Sequence, residues 1–131
     1  MYTIRVNAGF SAAHHLREYK GKCENPHGHN WRVGACVAGE TLNAEGMLID
    51  FGELRRLLRE VCAELDHKDI NTHPYFTQAN PTAENIARWV FVRLKELMKA
   101  GGFPEASIQI REITVEETDG SVASYSEAYT S

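Results

Sequence analysis

The alternate residues His27, His29, Trp31, Val33, Ala35 and Val37 constrain the fold more tightly than any other part of the chain. Apolar side chains at every second position are the signature of a strand with one buried face. We read that strand from His29, with His27 at its start. Extended backbone puts two rings spaced by one residue on the same side, where both can grip one metal ion. Zinc suits imidazole ligands and asks for no redox chemistry. A third nitrogen has to come from elsewhere, and His14 or His15 is the nearest source. In extended backbone these two point to opposite faces, so only one of them reaches the ion. Three imidazoles leave the fourth position of a tetrahedral zinc open to water or substrate, as a catalytic site requires.

The rest of the chain surrounds this strand with an α+β pattern. Tyr2, Ile4, Val6 and Ala8 alternate against polar residues and predict a strand over 2–9. Residues 10–28 have no periodicity and read as strand end, loop and turn. Gly39 and Gly46 mark a connection. Asp50 reads as a helix N-cap with Glu53 as its capping-box partner, opening a helix over 51–65 with Phe51, Leu54, Leu58, Val61 and Leu65 on one stripe. Residues 66–81 are polar, are broken by Pro74 and Pro81, and read as loop. Thr82 caps a second helix, with Ile86, Val90, Leu94 and Leu97 inward, ended by Gly101-Gly102.

Ser107 to Glu117 reads as a third strand. Its apolar phase shifts between Ile110 and Ile113, which predicts a β-bulge near Arg111-Glu112. Asp119-Gly120 is a two-residue hairpin signal leading into a last strand from Ser121 to about Tyr129. The expectation is a four-stranded antiparallel sheet with two helices on one face, in a single domain over 1–131. The outer strands of so small a sheet leave open edges, and pairing with other subunits would cover them.

Composition narrows the function classes. Net charge is −4, which argues against a chain built to embrace nucleic acid or an anionic membrane. No apolar run approaches membrane-spanning length, and Met1–Arg5 does not begin a signal peptide. Cys23, Cys36 and Cys62 are an odd, widely spaced set, which fits a reducing cytoplasm better than a disulfide framework.

Several candidates carry two readings. Cys23 is either the fourth ligand of a closed structural zinc site or a thiol activated beside an open one. Cys36 and Cys62 fall on a strand and a helix stripe and read as small buried hydrophobes. Asp66-His67 is either a helix end or a carboxylate that orients an imidazole for acid/base work. His73, beside Pro74, reads as a loop residue without a ligand role. Glu117 is either a solvated strand end or a binding carboxylate. A zinc-containing interaction module without chemistry would explain the imidazoles, but not Asp66-His67 and Glu117 beside them.

The order of these motifs is similar to one family. Phe10-x-Ala12-Ala13-His14, Cys23-x-x-x-His27-Gly28-His29, Asp66-His67, Pro81-Thr82-Ala83-Glu84-Asn85 and Glu117-Thr118 resemble the 6-pyruvoyl-tetrahydropterin synthase family from Tyr2 to about Tyr129. The resemblance is strongest to its bacterial branch, which makes 6-carboxy-5,6,7,8-tetrahydropterin for queuosine biosynthesis. It implies a tunnelling fold (T-fold) whose trimers close into a twelve-stranded barrel and stack as a homohexamer, with active sites between subunits. It implies His14, His27 and His29 as zinc ligands, Cys23 as catalytic thiol, Asp66 and His67 as a proton relay, and Glu117 as the pterin anchor, with Thr82 nearby. The implied substrate is 7,8-dihydroneopterin triphosphate, split to the carboxy product, acetaldehyde and triphosphate. Arg17, Lys20 and Lys22 cluster near the motif and are candidates for the triphosphate.

Two details bear on the branch. Animal-type, pyruvoyl-forming members carry the cysteine five residues before His-Gly-His, whereas here the gap is three. Glu24 stands where a related branch, which forms 6-hydroxymethyl-7,8-dihydropterin for folate synthesis, carries an acid/base glutamate. A dual activity is therefore a second expectation.

Overall fold

The alternate-residue run forms β2 (His27–Gly39), the middle strand of a five-stranded sheet. The computed structural model describes residues 1–21 and 24–128. Lys22, Cys23 and Tyr129 lie outside the described residues; the last strand, expected to run to about Tyr129, ends at Tyr125. β1 (Tyr2–His14) pairs antiparallel with β2 along its whole length, from Tyr2 opposite Gly39 to His14 opposite His27. β4 (Gln109–Thr118) lines the other side of β2, and β5 (Ser121–Tyr125) forms the far edge. β3 (Lys68–Asp69) is a two-residue strand parallel to β1, beside Ala12 and Ala13 only.

The first strand thus runs past residue 9. Phe10, Ala12 and His14 keep the inward parity of Val6 and are 4%, 7% and 2% exposed. Two alanines and two histidines carry little apolar contrast, so the alternation fades in the sequence although the ladder to β2 continues. The sheet also has five strands rather than four, and three helices rather than two. The segment 66–81, expected as loop, holds β3, a 3₁₀ turn (Ile70–Thr72) and the short helix α2 (Pro74–Gln78). Elements this short have no readable period. They are fixed by the burial of Ile70 and Phe76, and by side-chain caps. Asp69 accepts from the Asn71 N–H, and His73 Nδ1 accepts from the Tyr75 N–H. His73 therefore has a capping role, with its ring against Phe76 and Trp89.

The two long helices form from the expected signals. In α1 (Phe51–Ala63), Asp50 Oδ1 accepts from the N–H groups of Gly52 and Glu53 at 2.7 and 3.2 Å. The Glu53 carboxylate pairs with Arg56. In α3 (Ala83–Ala100), Thr82 Oγ1 accepts from the Asn85 N–H at 3.1 Å. The helix ends at Gly101, and Gly102 follows with φ +85°, a left-handed conformation that favours glycine. Arg93 Nε ties α3 to α1 through Glu64 at 2.7 Å.

Both helices cover one face of the sheet, burying Val6, Phe10, Trp31, Val33, Ile113 and Val115 in a single cluster. The opposite face shows Arg5, Asn7, Asn30 and Arg32 exposed. Two bulges shape β4. Cys36 pairs with Glu112 and Val37 with Ile110, so Arg111 is the extra residue that resets the apolar phase. Glu116 pairs with Val122 and Thr118 with Ser121, so Glu117 is the extra residue of a second bulge, next to the Asp119-Gly120 turn.

Candidate metal centre

Three strands deliver side chains to one end of the helix-covered face. Even positions of β1 and odd positions of β2 share that face, so His14, His27 and His29 meet there. Their ring centroids lie 4.7 to 5.3 Å apart. The Trp31 ring stands edge-on to His14 and His29, and its Nε1 donates to the Ala12 carbonyl at 3.2 Å. From β4 comes Glu117. One ligand atom from each of His14, His27, His29 and Glu117 lies within 4.8 Å of the others. His15, on the other parity, is outside this group; its backbone N–H goes to Asn71 Oδ1.

The hydrogen bonds behind the rings assign their tautomers. His14 Nδ1 is 2.7 Å from the Pro81 carbonyl and His27 Nδ1 is 3.0 Å from the Asn25 carbonyl. A carbonyl only accepts, so each Nδ1 carries the hydrogen and each Nε2 keeps its lone pair. Burial lowers the His14 pKa, although the Pro81 hydrogen bond and the Glu117 charge raise it in part. The neutral ring is the ligand form. The Nε2 atoms of His14 and His29 are buried with no hydrogen-bond partner. Yet Glu117 Oε1 lies 2.9 Å from His14 Nε2 and 3.6 Å from His29 Nε2. A lone pair facing a carboxylate oxygen at that range is repulsive unless a cation lies between them. Ligand atoms of a tetrahedral ion with bonds of ~2.0–2.2 Å sit about 3.3–3.6 Å apart; the separation to His29 reaches that range and the one to His14 is shorter. The residues fit a metal ion.

The other candidates stand elsewhere. Asp66 Oδ1 accepts from the Ser11 N–H at 2.9 Å, and the His67 N–H donates to the Ser11 carbonyl at 2.6 Å. His67 has φ +57°, strained for a side-chain-bearing residue, and its ring is 83% exposed with Nε2 3.6 Å from Asp66 Oδ2. It opens into a groove at the sheet edge, lined also by Ser11, Ala12, Ala13, Gly28, His29 and Asn30.

The loop that follows β1 is braced by side chains that sequence reasoning missed. Asn71 accepts from the His15 N–H and donates to the His15 carbonyl, at 2.9 and 3.0 Å. Asn80 treats Arg17 the same way, at 2.9 and 3.2 Å. Each amide imitates a strand partner. Asn85 holds the Asn80 carbonyl in turn. No periodicity encodes such pairing. The recurrence of asparagine around Pro81-Thr82 was the available signal, and it was absorbed by the helix-start reading. Glu24 belongs to this brace: its Oε1 accepts from the Leu16 N–H, and its N–H donates to the Leu16 carbonyl, both at 3.0 Å. Arg17 Nη2 donates to the Ala79 carbonyl. Lys20 lies over the Tyr19 ring. Cys36 and Cys62 are free and buried, and burial pushes the Cys62 thiol up to about 12.

A sheet with helices on one face and a three-imidazole, one-carboxylate cluster at its end defines an α+β protein with a candidate metal site. The family model for 6-pyruvoyl tetrahydropterin synthase matches residues 3–128, and the chain belongs to that family. A putative 6-carboxy-5,6,7,8-tetrahydropterin synthase of Archaeoglobus fulgidus is 38% identical over 93 residues, spanning 71% of this chain and 76% of the relative. The human 6-pyruvoyl tetrahydrobiopterin synthase is 33% identical over 109 residues, spanning 80% and 70%. Among solved structures, 6-pyruvoyl tetrahydropterin synthase of Caenorhabditis elegans superposes with a TM-score of 0.81 at 28% identity, covering 97% of this chain and 96% of that one. The fold is the T-fold of these proteins. No helix among the described residues is long and apolar enough to cross a membrane.

Proposed function

We propose that this chain is a zinc enzyme that converts 7,8-dihydroneopterin triphosphate, with one water, to 6-carboxy-5,6,7,8-tetrahydropterin, acetaldehyde and triphosphate. This carbon–carbon lyase step would serve queuosine biosynthesis in the cytoplasm. The observation that carries the reading is the convergence of three imidazoles, with Nδ1 of His14 and His27 held by carbonyls and the buried Nε2 atoms of His14 and His29 without hydrogen-bond partners. The branch is supported by the three-residue gap between Cys23 and His27 and by the similarly named archaeal and bacterial relatives. When bound by His14, His27 and His29, zinc would lower the pKa of the substrate's side-chain hydroxyls.

The chain's own residues supply the rest. Cys23 as thiolate removes a proton from a side-chain carbon. His67, oriented by Asp66, moves protons on the opposite side of that carbon. Glu117 accepts two N–H groups of the pterin ring, a pairing that a carboxylate makes in parallel. Thr82, Arg17, Lys20 and Lys22 are candidates for further substrate contacts. The relay pair of one subunit serves the metal of a neighbour, a reading supported by the projection of the His67 ring, 83% exposed, from the sheet edge. A homohexamer built from two trimers provides that neighbour. The open edge of β1 and the exposed polar sheet face support such an assembly.

Product identification tests the reading. Zinc-loaded protein incubated with 7,8-dihydroneopterin triphosphate should release acetaldehyde and the 6-carboxy product, identified by mass. Release of only 6-hydroxymethyl-7,8-dihydropterin, or of 6-pyruvoyl-tetrahydropterin, would overturn it. The hydroxymethyl reading has one point in its favour, the carboxylate of Glu24 next to Cys23. The bonds of Glu24 to Leu16 favour a bracing role instead. Mixing His27→Ala with His67→Ala subunits tests the shared site. Activity regained in the mixture is expected, and none regained would remove the neighbour from the mechanism.

A further inference from the structure

The ring of His14 leans on a carbonyl that needs support of its own. His14 Nδ1 is 2.7 Å from the oxygen of Pro81. Proline has no N–H, so Pro81 cannot be pinned by a backbone bond that it donates. The residue before it makes up the deficit. We propose that Asn80 is a positioning residue of the metal site: by clamping the Arg17 backbone it holds the Pro81 carbonyl against His14, so that this ring and the loop after β1 move as one unit. The inference rests on the metal reading of the proposed function, and not on which pterin product forms.

Three observations carry it. The first is where the ladder stops. β1 pairs with β2 only as far as His14. Beyond that point Arg17 is held by the Asn80 side chain, whose Oδ1 accepts from the Arg17 N–H at 2.9 Å and whose Nδ2 donates to the Arg17 carbonyl at 3.2 Å. Arg17 returns the grip, with Nη2 donating to the Ala79 carbonyl at 3.0 Å.

The second is how many bonds meet at Asn80. Besides its side-chain pair, its carbonyl accepts from Asn85 Nδ2 at 2.9 Å and from the Thr82 N–H at 2.8 Å. The third is stiffness. A residue before proline is confined to extended backbone, and the proline ring fixes its own φ. Few torsions therefore separate the Asn80 clamp from the Pro81 carbonyl, and a displacement of one passes to the other. Pro81 is buried, so water does not stand in for a lost partner. A carbonyl that swings away no longer keeps the hydrogen of His14 on Nδ1, and Nε2 loses its fixed direction.

The test uses the 131-residue chain and Zn²⁺ alone. Asn80→Ala should weaken Zn²⁺ affinity of the folded protein, measured by chelator competition, by at least about tenfold, although Asn80 is not a ligand. Asp50→Ala, which removes the α1 cap and no bond of this network, should destabilise the chain and leave affinity within about twofold. Equal losses in the two variants, or an Asn80→Ala affinity within about twofold of wild type, overturn the inference and leave the metal site intact. Wild type that binds no Zn²⁺ overturns the metal reading as well.

Should Asn80→Ala fail to fold, amide hydrogen exchange of wild type decides. Coupling is reciprocal, so Zn²⁺ should slow exchange at the Arg17 N–H by at least about tenfold. The Met47 N–H, held by Asn43 Oδ1 in a turn outside this network, should change by less than about twofold. Equal effects at the two amides, or none, overturn the inference.

Discussion

The two chemical groups of this chain are held in different ways. The three imidazoles stand on β1 and β2, where strand parity fixes their direction and the hydrogen-bonded ladder fixes their spacing, and Glu117 joins them from a bulge in β4. Asp66 and His67 stand in a turn at the sheet edge, fixed by backbone and carboxylate bonds to Ser11 and by the Asp66 N–H to the Cys62 carbonyl. The first group gathers on the helix-covered face, with His14 buried, His29 and Glu117 partly buried and His27 exposed. The second is exposed and faces outward. A ligand set that must close on a small ion gains from a rigid lattice, whereas a group that reaches outward to a substrate has to project.

That contrast can be broken experimentally. The largest effect is expected at the metal-facing group. His27→Ala or His29→Ala should lower zinc affinity by more than about 100-fold, beyond what loss of a residue behind the ligands typically costs. Chelator competition measures it. On the exposed side, His67→Ala should keep zinc at wild-type stoichiometry and lower kcat by about 10²–10⁴. If it also strips the metal, the two groups are not independent. Cys23→Ser sharpens the same division. Retained zinc with a comparable loss of turnover marks a reactive thiol, and lost zinc marks a structural ligand.

Smaller effects probe the supports. Phe76→Ala, in the short helix beneath Trp89, should cost about 3–5 kcal/mol in denaturant unfolding, with metal affinity of the folded protein unchanged. Thr82→Ala should cost about 1 kcal/mol through loss of the α3 cap. The buried Cys62 thiol, pushed up to about 12, should resist alkylation at pH 8 until the protein unfolds.

How much of this was legible in the sequence follows the same division. Parity alone put His27 and His29 on one face and allowed only one of His14 and His15 to join them. The caps at Asp50 and Thr82, the bulge at Arg111 and the Asp119-Gly120 turn were readable because each is local chemistry. What escaped was non-local. Phe10 to His14 are strand because β2 lies alongside. α2 exists because Phe76 finds a buried place. Asn71 and Asn80 act as strand partners for residues far away in the chain. The arrival of Glu117 beside His14 depends on a bulge whose register only the β5 pairing defines.

The bond from His14 Nδ1 to the Pro81 carbonyl spans 67 positions of sequence and ends one residue before the cap of α3. An ion seated on His14 therefore staples the first strand to the threshold of the last long helix. By mass action, each tenfold excess of free ion over its dissociation constant adds about 1.4 kcal/mol to folding. Zinc supply would then set how long a molecule survives proteases, even where no pterin is present.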